Sequence, residues 1–234
     1  MLVKRSLIFF KIFAVVGMFL IGSIPLAGQD AEMRSFPLSF SMTKGSQDAL
    51  ILYITGDGGL NSFNRSLIQA FEKKQYGVVT LDSRKYFWNQ KEPVGFANDV
   101  EKIALHYMKA WKKSSLVIVG YSFGADVAAF LSSRLSNTLR TKIRSMMLLS
   151  PSSSTDFVIR LSDLLAENDN ASRKYKIEPE IKKNTLPLTC IFGEEEHLFL
   201  KNKLKTMANI TVYDLPGNHQ YGKNYPLLLE KMNL

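Results

Sequence analysis

This sequence predicts an α/β fold, a mostly parallel sheet flanked by helices, and three observations predict it. Short apolar, β-branched segments alternate with longer amphipathic ones, the pattern of strands covered by helices on both faces. A glycine-flanked serine stands where one such segment gives way to a helix-forming run. Several of the other strand candidates end in glycine-rich or acidic loops, and in parallel sheets ligands gather at those ends.

In chain order, the first 28 residues read as a signal peptide. Lys4, Arg5 and Lys11 precede or enter an apolar stretch from Ile12 to Leu26, which closes on the small residues Ala27 and Gly28. An uncleaved anchor is the competing reading, because the apolar run is nearly long enough to span a bilayer. Either way the remaining domain, 29–234, is expected outside the cytoplasm, in a periplasm. A sole cysteine, Cys190, permits no internal disulfide, and its place in the apolar run Leu188-Thr189-Cys190-Ile191-Phe192 marks it as a core residue. Strands are expected at 49–55, 77–81, 116–120, 145–149, 188–192 and 210–213, with an edge strand at 36–42. Helices are expected at 64–74, 95–112, 123–135, 156–165 and 225–232.

The formal charge is +9, three units of it in the leader. Most of the rest reads as solvated lysine, such as Lys73-Lys74, Lys112-Lys113 and Lys182-Lys183, though together it favours anionic lipid surfaces. No basic stripe interleaves with aromatic residues, so nucleic acid is not an expected partner.

The chemistry starts at Gly120-Tyr121-Ser122-Phe123-Gly124, after Leu116-Val117-Ile118-Val119. A G-x-S-x-G match at a strand-to-helix turn is the nucleophile elbow of α/β-hydrolases: the glycines allow the turn, and the serine hydroxyl is lifted above the sheet edge. Ser122 is therefore the candidate nucleophile. The oxyanion donors would be the backbone N–H of Phe123 and one from the Gly56-Asp57-Gly58-Gly59 loop, around Asp57 and Gly58. No Lys-Ser/Thr follows that loop, which excludes a Walker-type phosphate site.

The fold orders its triad Ser, acid, His along the chain. After strand 188–192 comes Gly193-Glu194-Glu195-Glu196-His197, where Glu196 is the preferred acid and Glu194 and Glu195 stay open. After the last strand, His219 is the preferred base over His197; His106 falls inside a helix and is structural. Asp57, Asp82, Asp126 and Tyr121 are substrate-binding candidates, although Asp126 also suits the helix entrance and Asp82 its own turn. Tyr86-Phe87-Trp88 reads as either a lipid-facing wedge or buried packing. Three scattered histidines give no metal-ligand spacing, and neither a metal nor a cofactor is called for.

With its glycine loop at 56–59, Asp82-Ser83-Arg84-Lys85-Tyr86-Phe87-Trp88 followed by Pro93, the motif at 120–126 and Gly217-Asn218-His219, the chain resembles the VirJ/AcvB family from about Ala49 to its end. The resemblance implies a periplasmic α/β-hydrolase linked to virulence, some members relating to type IV secretion and others to hydrolysis of lysyl-phosphatidylglycerol. It matches Ser122 and His219 to the family's nucleophile and histidine, and the 193–196 loop to its acid region. Leu60 stands where the family usually has Trp, and Pro-Gly-Asn-His-Gln replaces a Gly-Gly-His-His pattern. The implied substrate is an aminoacylated anionic phospholipid, with secretion-system proteins as further partners. A different acyl, peptidoglycan-linked or sugar-linked ester, or a non-catalytic role in secretion, are the alternatives.

Overall fold

The computed structural model describes residues 26–41, 47–160, 173–208 and 210–234, with side chains from residue 31 onward. Residues 1–25, and with them most of the expected leader, lie outside the described residues. No helix among those described is long and apolar enough to cross a membrane.

Seven strands form one sheet: β1 (Leu38–Ser41), β2 (Ala49–Ile54), β3 (Gly77–Leu81), β4 (Ser115–Tyr121), β5 (Ile143–Leu149), β8 (Leu188–Gly193) and β9 (Thr211–Leu215), in the order β1-β3-β2-β4-β5-β8-β9. All neighbours are parallel except β1, which pairs antiparallel with β3 as the expected edge strand. Short strands β6 (Ser154–Thr155) and β7 (Tyr175–Lys176) form a separate pair.

The pleat divides each central strand between two cores. Leu50, Leu52 and Ile54 of β2, with Leu116 and Ile118 of β4, face one side. There they meet Phe96, Val100 and Ala104 of α4 (Pro93–Ala110) and Ala125, Val127 and Ala128 of α5 (Phe123–Ala128). Ile51, Tyr53, Val117 and Val119 face the other side, against Phe63, Leu67 and Phe71 of α2 (Ser62–Lys73) and Leu228 and Leu229 of α9 (Tyr225–Lys231). This two-sided burial is why the strands read as continuous apolar runs.

Helix starts are fixed locally. Asn61 caps α2 by accepting the Asn64 amide, proline stands in the first turn of α4, and Asn224 caps α9. From β2 the chain moves outward to β3, then crosses back to β4 on the other side of β2. The reversal makes a crevice at the carboxyl ends of β2 and β4, the usual ligand position in open α/β sheets.

Two expected helices differ. The one at 123–135 ends as an α-helix at Ala128 and continues as tight turns, with the Phe130 and Leu131 amides bonding to Val127 and Ala128, three residues back. Residues 156–160 are not helical. Phe157 takes φ 55°, and the 157–159 backbone bonds instead to 87–91, through Ile159 N–H to Phe87 O and Lys91 N–H to Phe157 O. Burial of Phe157 against Phe87, Phe96 and Phe130 outweighs local helix preference. The rest of that expected helix, 161–165, lies outside the described residues. Helix α1 (Leu26–Ser35) and the short helices α3 (Ser83–Tyr86), α6 (Asn137–Arg140), α7 (Ile177–Lys182) and α8 (Phe199–Leu204) were not expected.

Candidate active site

Ser122 occupies the turn between β4 and α5 with φ 53° and ψ −122°. Its amide donates to Leu149 O at 2.8 Å, and its carbonyl accepts from the Ala125 amide at 2.8 Å. The motif glycines are required by contact. A Cβ on Gly120 would stand 2.4 Å from Gly124 O, and one on Gly124 would stand 2.2 Å from Ile54 O. Only bare backbone lets α5 press onto the sheet and hold serine in a conformation that side chains avoid.

The carboxyl ends of β8 and β9 supply the acid and the imidazole. The Glu194 amide donates to Leu215 O at 2.8 Å and the Glu195 amide to Gly217 O at 3.1 Å, which laces the acidic loop to the histidine loop. Buried Lys201 of α8 donates to Gly193 O at 2.9 Å and fixes the loop's origin. Glu196 Oε1 then lies 2.5 Å from His219 Nδ1. Its other oxygen accepts from Gly193 N–H at 2.5 Å and from Ser150 Oγ at 2.7 Å. Burial raises the Glu196 carboxyl, but the bonds from His219, Ser150 and Gly193 outweigh it and hold the group below its ordinary range. Glu196 is thus a carboxylate at neutral pH, and the Nδ1 engagement leaves Nε2 for proton transfer. Of the three glutamates left open, Glu196 is the one bonded to a histidine; His219 is that histidine, not His197.

Sequence reasoning missed two supporting residues. Ser150 follows β5 at φ 52°, and Tyr221 OH lies 2.6 Å from Ser150 Oγ and 3.3 Å from Ile191 O. Since Ser150 spends its proton on the carboxylate, Tyr221 donates to Ser150. The signal was present: Ser150 is the first residue beyond a parallel strand, the position that marks the other site residues.

On the opposite side, the Phe123 N–H at the first position of α5 has no intrahelical acceptor. The glycine loop approaches Ser122 through Gly56, where a Cβ would stand 3.3 Å from Ser122 Cβ. Asn64, bonded to Tyr53 OH, donates to Gly59 O at 2.6 Å and pins the loop to α2. Of the two loop candidates for the oxyanion, the Gly58 N–H donates to Asp57 Oδ1 at 2.8 Å, whereas the Asp57 N–H has no hydrogen bond among the described residues. No hydrogen bond joins Ser122 Oγ to His219 among the described residues; their segments meet where Tyr121 OH donates to His219 O at 3.2 Å and the Tyr121 and His219 rings lie 5.2 Å apart.

Three of the four substrate-binding candidates have structural work. Asp126, 3% exposed, accepts the Ser152 amide at 2.6 Å and the Ser152 hydroxyl at 2.7 Å, tying α5 to the loop beyond β5. Tyr121 is buried and positions the histidine loop. Asp82 caps α3 through the Lys85 amide and lies 4.0 Å from Lys85 Nζ. Asp57 remains a candidate: it lies in the loop whose Gly56 packs on Ser122, and its carboxylate accepts the Gly58 amide. The aromatic trio divides: Tyr86 and Phe87 are core, whereas Trp88 is 56% exposed. Cys190 is buried, and burial pushes its thiol up, as a core residue requires. No group of three or more His, Cys, Asp or Glu among the described residues has metal-binding geometry.

A family model described as "Bacterial virulence protein (VirJ)" matches residues 48–233. None of the curated proteins matches the chain. Among solved structures, it is similar to a lipase-esterase related protein from Clostridium acetobutylicum, 14% identical over 85% of this chain and 98% of that one, with a TM-score of 0.63. Est1E from Butyrivibrio proteoclasticus is 14% identical, over 84% of this chain and 94% of that one, with a TM-score of 0.58. Proline iminopeptidase from Mycobacterium smegmatis is 12% identical, over 84% and 92%, with a TM-score of 0.58. At such identities the shared feature is the α/β-hydrolase fold.

Proposed function

The chain belongs to the VirJ family of bacterial virulence proteins, and from that premise we propose that it is an exported serine ester hydrolase acting on aminoacyl esters of the lysyl-phosphatidylglycerol type. The observation that carries the reading is the Glu196–His219 pair, built on the same carboxyl edge that holds Ser122 in an elbow conformation. Ester cleavage through an acyl-enzyme is the chemistry such a set performs.

Ser122 Oγ attacks the ester carbonyl as its proton passes to His219 Nε2. The Phe123 and Asp57 amides receive the charge that develops on the carbonyl oxygen. The carbon–oxygen bond to the glycerol then breaks, and the departing oxygen takes the proton from His219. Water, deprotonated by the same nitrogen, attacks the aminoacyl-Ser122 ester and releases the amino acid. Glu196 stabilises the imidazolium in both halves and stays ionised throughout. Catalytic hydrogen bonds are often long before substrate binds, so the Ser122–His219 bond is expected to form in the complex. Asp57, in the loop whose Gly56 packs on Ser122, would receive the ammonium of the aminoacyl group. The net positive charge favours an anionic membrane surface as the place of work.

The test is to incubate purified protein with lysyl- and alanyl-phosphatidylglycerol and to measure released amino acid. Release by the parent and none by Ser122→Ala is expected. A fluorophosphonate probe that leaves Ser122 unlabelled in folded protein, or release that survives Ser122→Ala, would overturn the reading. A purely accessory role beside a type IV secretion apparatus predicts a Ser122→Ala variant that supports secretion as well as the parent does.

A further inference from the structure

The mechanism uses one end of the glycine loop and leaves the other end unexplained. Gly56 packs on Ser122, whereas Gly58 and Gly59 floor an open cleft of about 620 Å³. Arg65 of α2 and Arg84 and Lys85 of α3 line it, with Asp82, Trp88 and Asn89. Its one carboxylate is already committed: Asp82 accepts the Lys85 amide at 3.4 Å and lies 4.0 Å from Lys85 Nζ. Neither Arg65 nor Arg84 has a carboxylate partner among the described residues. The backbone holds Arg84 in place, since its Cβ lies 3.1 Å from where a Gly59 Cβ would be.

Both arginines are exposed, and an anion in the cleft they border would be attracted by both. Guanidinium forks match the oxygens of a phosphoryl group in pairs. We propose that Arg65 and Arg84 form a subsite for a phosphoryl anion. An ester with its carbonyl at Ser122 would extend over the glycine loop and present this anion to the cleft. In the ester already proposed as substrate, this anion is the phosphodiester on the alcohol side, which Arg65 and Arg84 would hold. The role in ester turnover rests on the hydrolase reading, but anion binding does not.

Calorimetric titration of the Ser122→Ala protein separates the two. The probes are inorganic phosphate and dihexanoyl-phosphatidylglycerol below its micelle-forming concentration. Saturable binding of at least one probe is expected, weakened about tenfold or more when Arg65→Gln and Arg84→Gln are added. Arg84→Lys, which keeps the charge and loses the fork, should weaken it less. Tighter binding of the lipid identifies a headgroup diester, and equal or tighter binding of inorganic phosphate identifies free phosphate. No saturable heat with either probe, or undiminished affinity in a double variant whose circular dichroism matches the parent, overturns the subsite. Because Ser122 is absent throughout, a failed ester assay leaves this result standing, and the reverse also holds.

Discussion

The two halves of the carboxyl edge are finished to different degrees. Around His219 and Glu196 the polar groups are paired: both carboxylate oxygens are occupied, Ser150 and Tyr221 stand behind them, and Lys201 holds the strand end. Across Ser122, the glycine loop is equally well anchored by Asn64, yet it borders a cleft with two unpartnered arginines and an exposed tryptophan. Groups that must be in place before substrate arrives are bonded within the protein. Groups that meet the substrate are left unsatisfied, because an internal partner would compete with the ligand.

The hardest test of this contrast is removal of the central hydroxyl. Ser122→Ala should lower kcat on an aminoacyl ester on the order of 10⁶-fold, with folding retained by circular dichroism. Glu196→Gln should cost roughly 10⁴-fold in kcat with little change in KM, measured by steady-state kinetics, because the amide favours the wrong imidazole tautomer. The same residue gives a pH signature. Its carboxyl is lowered in the folded chain, so its contribution to stability is present above the unfolded value near 4.5 and is lost as pH falls through the lower folded value. Urea unfolding between pH 7 and 3 should show that loss in the parent, and Glu196→Gln should lack this component.

Adjacent aromatics sharpen the contrast in stability. Phe87, 0% exposed among Phe96, Phe123 and Phe157, should cost about 3–5 kcal/mol on replacement by alanine, read from denaturant midpoints. Ser150→Ala removes one bond to a carboxylate and should lower kcat about tenfold, KM unchanged, with the Glu196 component of the pH profile moved upward. Trp88→Ala should change stability by no more than about 0.5 kcal/mol, since its ring faces solvent.

The sequence exposed the parts that follow simple periodicity or chain order. Strands β2 to β5, β8 and β9 carry apolar side chains into two cores, so their runs stood out; Ser122, Glu196 and His219 follow from the strand-end rule and the order of the triad. Helices α3, α6, α7 and α8 have at most six residues, too few to show a helical period. Asp126 looked available because sequence cannot show that Ser152 folds back onto it. Nothing in the sequence sets Arg65 and Arg84 apart, because they stand 19 positions apart on two helices and only the fold brings them to the same cleft.

The backbone angle at Ser122 has its own evolutionary consequence. A positive φ with ψ near −120° suits glycine and penalises every other side chain. Exchanging that residue for glycine would therefore relax the turn and raise the melting temperature while removing the only atom able to form the acyl bond. Selection for thermal robustness alone would favour that inert form, so a serine at this angle gives up stability for its hydroxyl.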